Sequence, residues 1–320
     1  MHSIINNTET LENVIKKFEH EKFIAVDTEF IRETTYFSKL CLIQLASEKN
    51  IIIIDPLASN INLKSLWNLF NKKSPIKVMH SGRQDMEIFY NFNNKLPTPV
   101  YDTQIAAMVC GFGDQISYEN LVRNLLDIKL DKSSRISDWS IRPLRKEQIE
   151  YAIKDVKYLV KIYKLLKEEI DRTNRFSWIK EEMKGLSNIN HYKVDPDNVW
   201  KKIKLKTNKR SVLNKIKFLA SWREKLAIEK NVPKNYIIRD EILSDIAILN
   251  PNEISKFKSI RSFQNSKNKF IPELIKVLKK AEKVPENQWP LAKEPFKKVK
   301  SEATIELLRV LLKHASENEK

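Results

Sequence analysis

Four carboxylates and one phenol in this 320-residue chain have the types and spacing that chemistry on a phosphate or at a metal ion needs. Asp27 and Glu29 lie two residues apart in Phe23-Ile-Ala-Val-Asp-Thr-Glu-Phe30, which has the β-branched and aromatic make-up of a strand. Side chains at i and i+2 of a strand leave the same face. The two carboxylates therefore repel each other unless a cation lies between them, and a hard divalent ion with oxygen ligands suits such a pair. Asp85 follows Ile76–His80, which reads as a short strand, and the turn Ser81-Gly82, in the first turn of a helix predicted near Arg83–Tyr90. A helix N-terminus favours an anion there whatever the function. Tyr151 and Asp155 are four apart on a predicted helix and share a face. Taken singly, each group has a plain alternative: a solvated acidic pair, a helix-terminus charge, an i, i+4 polar pair.

The elements that must position these residues alternate between strand and helix. Phe23–Phe30, Lys39–Ala46 and Asn50–Asp55 read as three strands, the last ended by Pro56, and Leu63–Phe70 as a helix. Val100–Asp102 reads as another short strand, followed by a helix through Met108. From Arg145 to about Leu166, apolar residues recur at Ile149, Ala152, Ile153, Val156, Val160 and Tyr163, the spacing of an amphipathic helix, with Pro143 just ahead of it. Strands first, then helices interleaved with a strand, argue for an α/β domain with a mixed sheet. Asn188–Asp197 is polar and broken by Pro196, as a linker is. Beyond it the strand signal fades, and helices are expected over Val212–Glu229, Asp240–Leu249, Ile254–Ser259, Ile271–Lys283 and about Ala303–His314.

Net charge is +17 and unevenly spread. Residues 1–200 carry 29 Lys and Arg against 27 Asp and Glu, whereas residues 201–320 carry 29 against 14. A basic module beside a neutral one suits a nucleic-acid enzyme with an accessory binding domain. Cys41 and Cys110 both sit among apolar residues and form neither a disulfide framework nor a CxxC zinc site. The longest apolar run, Ile105–Cys110, is far shorter than the roughly 20 residues of a membrane span, and the first residues show no signal-peptide pattern. Four glycines and no GxxxxGK[ST] loop leave a nucleotide switch or ATPase unsupported.

In order along the chain, the Asp-x-Glu strand, the later Asp85 and the Tyr-x-x-x-Asp helix resemble the DEDDy branch of 3′→5′ exonucleases. The flanking segments TYFSKLCLIQLAS, VYDTQIAAMV and SDWSIRPLRKEQIEYAIKDVKYL resemble ribonuclease D in particular, over residues 5–175. The resemblance implies a ribonuclease H-like α/β domain and an exoribonuclease that hydrolyses phosphodiesters with two divalent ions, Mg²⁺ or Mn²⁺, and releases 5′-mononucleotides. By the same resemblance Asp27 bridges both ions, Glu29 and Asp155 complete the site of the attacking water, Asp85 supports the second ion, and Tyr151 orients the water. It further implies RNA with a single-stranded 3′ end as substrate, tRNA precursors foremost; beside it, a cytoplasmic monomer without membrane association is expected. His80 is more often structural than functional in such a position; Asp102 is read as structural or substrate-adjacent, and Gln44 and Trp139 as packing and orientation residues.

Phe218–Pro233 followed by Asp240-Glu-Ile-Leu243 is similar to HRDC domains, small helical nucleic-acid-binding modules, although Trp222, Ala227 and Pro233 also suit the core and turns of any helical bundle. Lys201–Lys206 and Lys209-Arg210 are placed to track phosphates without reading sequence. The expected organisation is an exonuclease domain over 1–195, an HRDC-like domain over 208–283, and a helical tail over 284–320 whose NQWPLAKEPF resembles the entry to a second, partial HRDC-like domain. The competing functions are a DNA 3′→5′ exonuclease, which the carboxylates alone allow, and a non-catalytic RNA-binding protein on the same fold.

Overall fold

The structure is a computed structural model that describes residues 4–130, 137–205, 207–260, 263, 265–291 and 301–318. Lys206 of the basic stretch, and residues 292–296 of NQWPLAKEPF with its Pro295, lie outside the described residues. The chain divides into two units. The first runs through Ile31 and resumes over Ser38–Lys193; the second takes Arg32–Phe37 and the chain from Val194 onward.

The first unit is built on β1 (Ile4–Ile5), α1 (Thr8–Phe18), β2 (Phe23–Ile31), β3 (Lys39–Ala46), β4 (Ile51–Ile54), α2 (Lys64–Phe70), β5 (Ile76–Met79), α3 (Arg83–Asn93), β6 (Val100–Asp102), α4 (Thr103–Val109), α5 (Tyr118–Leu126), α6 (Lys146–Arg172) and α7 (Phe176–Leu186). Its strands form one mixed sheet in the order β1-β4-β3-β2-β5-β6. β2, β3 and β4 are an antiparallel meander, whereas β1, β5 and β6 each run parallel to their neighbour. On one face Leu11, Ile15 and Phe18 of α1, Leu69 of α2 and Met86 and Phe89 of α3 pack on Ile24, Val26, Ile43 and Leu45. On the other, Val156, Leu159 and Tyr163 of α6 share a core with Ala25, Ala46 and Val78. Ala25 and Ala46 are cross-strand partners; two small side chains side by side leave room for α6 to lie close to the sheet, since a helix approaches a surface only as near as its side chains permit.

Two irregularities shape the centre of this sheet. The β2–β3 register shifts between Glu29 and Phe30, a bulge of the kind that re-aims side chains. On β2, β5 pairs only with Phe23–Ala25, so β5 ends at Met79 before it reaches the level of Asp27. The start of α6 is tied down by Arg142. Its Nε and Nη2 donate to the two Asp55 oxygens at 2.7 Å each, Nη2 also to the Cys41 carbonyl at 2.7 Å, and Nη1 to the Trp139 carbonyl at 2.7 Å.

The second unit is all-helical: α8 (Arg210–Glu229), α9 (Lys234–Ile237), α10 (Asp240–Leu249), α11 (Ile254–Lys258), α12 (Ile271–Glu282) and α13 (Glu302–Asn318). Ile216, Leu219, Ala227, Leu243, Ile246, Phe257 and Leu274 are fully buried in its core. Within it Arg223 is also buried, its guanidinium donating to the Ile238 carbonyl at 2.7 Å and pairing with Asp240 at 2.7 Å. The segment Arg32–Phe37 is held here by Tyr36, whose hydroxyl donates to Glu224, and by Asn231 Oδ1, which accepts the backbone N–H groups of Tyr36 and Phe37. Among the described residues no helix is long and apolar enough to cross a membrane. The α/β sheet domain followed by an all-α module is the fold class read from the sequence.

Arg142→Lys keeps the charge but loses the planar fork that reaches Asp55 and two carbonyls at once. We expect a loss of about 1–3 kcal/mol in urea unfolding, on the scale of charge-assisted hydrogen bonds in a partly buried site.

Candidate active site

Asp27 and Glu29 leave β2 on the face that α6 covers, the face of Ala25, and Asp155 comes to them from α6. One oxygen from each of the three carboxylates lies within 4.8 Å of the other two. All three are half-buried. Burial pushes the Glu29 carboxyl up to about 9, and the charges of Asp155 and Asp85 add to the effect. Asp27 is raised well above the usual carboxylate range, first by burial, then by the charges of Asp155, Asp85 and Glu29. The charges that dominate at both residues are thus negative, and hard oxygen ligands crowded in this way fit a divalent cation.

Asp85 stands apart from that trio. It is buried in the first turn of α3, and the Thr28 hydroxyl donates to its Oδ1. Burial raises its carboxyl to about 6, with the Thr28 bond holding it down. It comes near β2 because β5 ends early and leaves that edge of the strand open. Tyr151 lies one helical turn before Asp155; its phenol is pushed up by burial, by the carboxylate charges of Asp155, Glu29 and Asp27, and by its hydrogen bond to Asp155. The phenol is therefore protonated throughout the neutral range and acts as a hydrogen-bonding group.

The other residues singled out in the sequence fall around this centre. His80 is half-buried, with Nδ1 3.0 Å from Thr103 Oγ1 and Nε2 3.1 Å from the Ile116 carbonyl, and burial lowers its pKa. Both ring nitrogens are engaged within the fold. Gln44 is the cross-strand partner of Asp27 and completely buried, and its amide has no hydrogen-bond partner among the described residues. Trp139 is buried with its ring 6.0 Å from that of Tyr151. Of the two cysteines placed among apolar residues, Cys41 is buried and Cys110 is half-buried at the end of α4.

Two residues at the site escape the sequence reading. Thr28 was within view, lying between the two carboxylates in Asp27-Thr-Glu29. Tyr118 was not: its hydroxyl donates to the Asp155 carbonyl at 2.6 Å and to that of Lys154 at 3.1 Å, from a helix that no local signal connects to α6.

The second unit presents a groove of about 490 Å³ lined by Trp222, Phe270, Lys225, Lys230, Lys269 and Glu273. The Trp222 and Phe270 rings meet edge to face at 5.8 Å, and Trp222 Nε1 donates to Glu273 at 2.9 Å.

A family described as 3′-5′ exonuclease matches residues 2–171, and the HRDC domain matches residues 214–278. Ribonuclease D of Jannaschia sp. (strain CCS1) is 41% identical, over 98% of this chain and 83% of that protein. Ribonuclease D of Bartonella henselae is 40% identical, over 98% of this chain and 78% of its own length. The chain belongs to the ribonuclease D family. The crystal structure of Escherichia coli RNase D, described as an exoribonuclease involved in structured RNA processing, matches with a TM-score of 0.88 at 28% identity, over 100% of this chain and 85% of that one. The first unit is accordingly the exonuclease domain of a ribonuclease D-like hydrolase, a 3′→5′ exoribonuclease, and the second carries an HRDC domain.

The raised carboxyls make metal-free stability pH-dependent. Between the ordinary Glu value of 4.5 and about 9, the folded protein holds a proton at Glu29 that the unfolded chain has lost. Stability therefore falls as pH rises through that window, opposite to an ion-paired acid. Without metal, wild type should lose stability relative to Glu29→Gln between pH 5 and 9 in thermal melts, and Mg²⁺ should stabilise wild type more than the variant. A flat difference would mean that Glu29 is not held protonated.

Proposed function

We propose that this ribonuclease D-type enzyme removes 5′-mononucleotides one at a time from the single-stranded 3′ ends of RNA, tRNA precursors among them, with two divalent ions, Mg²⁺ or Mn²⁺, at Asp27, Glu29, Asp85 and Asp155. The observation that carries the reading is the close set of oxygens from Asp27, Glu29 and Asp155. We further propose that it works in the cytoplasm as a monomer, with 1–195, 208–283 and 284–320 as its functional divisions.

Divalent ions held by carboxylates polarise a phosphoryl oxygen and make bound water a nucleophile at neutral pH. What the protein's own groups contribute follows from their environment. Asp27 shares the trio with Glu29 and Asp155, and by the family resemblance it would be the residue to hold both cations. Asp85, buried against Thr28 and outside the trio, serves the leaving-group side. Tyr151, kept neutral, holds the attacking water by a hydrogen bond and aims it at phosphorus. Attack breaks the bond from phosphorus to the 3′ oxygen, which stays with the shortened RNA, and the departing nucleotide keeps its 5′ phosphate. The Trp222 ring with Lys225, Lys230 and Lys269 suits a base and phosphates of the strand held by the second unit.

With RNA labelled at either end, we expect Mg²⁺-dependent release of the 3′ label as mononucleotide and a shrinking ladder from the 5′ label. Internal cuts would overturn the exonuclease direction, and faster decay of a matched DNA would move the substrate class. Asp27→Ala is expected to be folded and inactive. Tyr151→Phe is expected to lose roughly 10²–10⁴ in kcat on the general acid–base scale; near-normal turnover would remove the phenol from the mechanism. Replacing Lys225, Lys230 and Lys269 together by Ala should flatten the logarithmic salt dependence of RNA binding by about 2, at roughly 0.7 per single-strand phosphate contact.

A further inference from the structure

We propose that Asp102 is a positioning residue for Asp85, acting through the Ser81-Gly82 turn; the inference rests on the metal-dependent nuclease reading above. Asp102 is 2% exposed, unusually deep for a carboxylate without a basic side chain in its hydrogen bonds. Instead it accepts three backbone N–H groups: Ser81 N to Oδ1 at 3.0 Å, Gly82 N to Oδ2 at 2.8 Å, and Gln104 N to Oδ1 at 2.8 Å. The bond to Gln104 is an ordinary cap of α4. The other two reach across to a turn that leads straight into α3.

That turn needs an external anchor. Ser81 adopts the left-handed region at φ 55, which a non-glycine residue occupies only when its surroundings hold it there. Gly82, the N-cap of α3, has no side chain with which to cap the helix itself. Nor can another residue replace it freely, because a Cβ there would lie 2.7 Å from Met79 Cβ and 2.8 Å from its Sδ. Asp85 is the third residue of the helix that this turn launches. Its carboxylate meets Thr28 of β2, so α3 is fixed at its start by Asp102 and at Asp85 by the strand that carries Asp27 and Glu29. Met79 and Asp102 are cross-strand partners on β5 and β6. The anchor is thus built into the sheet, and a slip of the turn displaces Asp85 against a rigid Thr28.

Asp102→Asn tests this selectively. Asn keeps one acceptor oxygen for three N–H groups, so at least one bond is lost; with that oxygen in the Oδ1 position the α4 cap survives and Gly82 N faces an amide NH₂. Outer-shell partners of metal ligands typically contribute 10–100-fold in metal affinity or activity. For Asp102→Asn we expect kcat lowered about 10-fold and the half-saturating Mn²⁺ concentration raised several-fold on that scale, with KM for RNA within about twofold. Ile15→Val, a core change in α1 worth about 1 kcal/mol, should lower the melting temperature and leave the Mn²⁺ midpoint in place. Gly82→Ala, which pushes the same turn off Met79 with Asp102 intact, should reproduce the raised midpoint.

A folded Asp102→Asn with wild-type kcat and midpoint overturns the proposal. So does an Asp102→Asn that does not fold, if Gly82→Ala folds and binds Mn²⁺ normally, because Asp102 then serves the fold alone. If wild type itself shows no metal-dependent hydrolysis, the nuclease reading fails instead, and the two failures are told apart.

Discussion

Carboxylates that repel one another, held together by burial on one sheet face, set the terms for the rest of the exonuclease domain. Three of them share a space of 4.8 Å, and the charges that dominate around Asp27 and Glu29 are negative. Such an arrangement costs folding free energy, so the scaffold must over-determine it. The alanine pair that lets α6 come close, the bulge beside Glu29, the early end of β5 and the Arg142 clamp before α6 all serve that end. Protonation relieves part of that cost in the absence of metal, and the same set of oxygens suits a divalent cation.

The carboxylates are not equivalent. Glu29 is pushed to about 9 and Asp85 only to about 6, although Asp85 is the more buried by exposure. The difference lies in partners: Asp85 accepts a hydroxyl hydrogen bond from Thr28, while Glu29 faces Asp155 and Asp85. One group is thus ready to carry its charge near neutrality with little help, and the other depends on a cation to do so.

How legible this was in the sequence varies with how local the signal is. The Asp27-x-Glu29 pair and the long helix bearing Tyr151 and Asp155 were readable, because period-2 and period-3.6 patterns are written in adjacent residues. The helix α10 was read to the residue, Asp240–Leu249. β1 was missed: it is only Ile4–Ile5, and its parallel partner β4 is far along the chain. α1 does carry a local signal, with Asn7 as its cap and Leu11, Ile15 and Phe18 as its buried stripe, although it is absent from the elements expected above. For Asp102 the sequence allowed a structural or a substrate-adjacent role; its bonds to Ser81 and Gly82 exist only once β5 and β6 are paired. Tyr118 and its contact with the Asp155 carbonyl depend likewise on tertiary packing.

The most direct test of the account is anomalous diffraction from crystals of the protein soaked in Mn²⁺ with a nucleoside 5′-monophosphate. The account predicts two manganese peaks about 3.5–4 Å apart, the usual spacing of paired catalytic ions, with Asp27 touching both. Manganese absent from the Asp27, Glu29 and Asp155 oxygens, or bound only elsewhere, would contradict it.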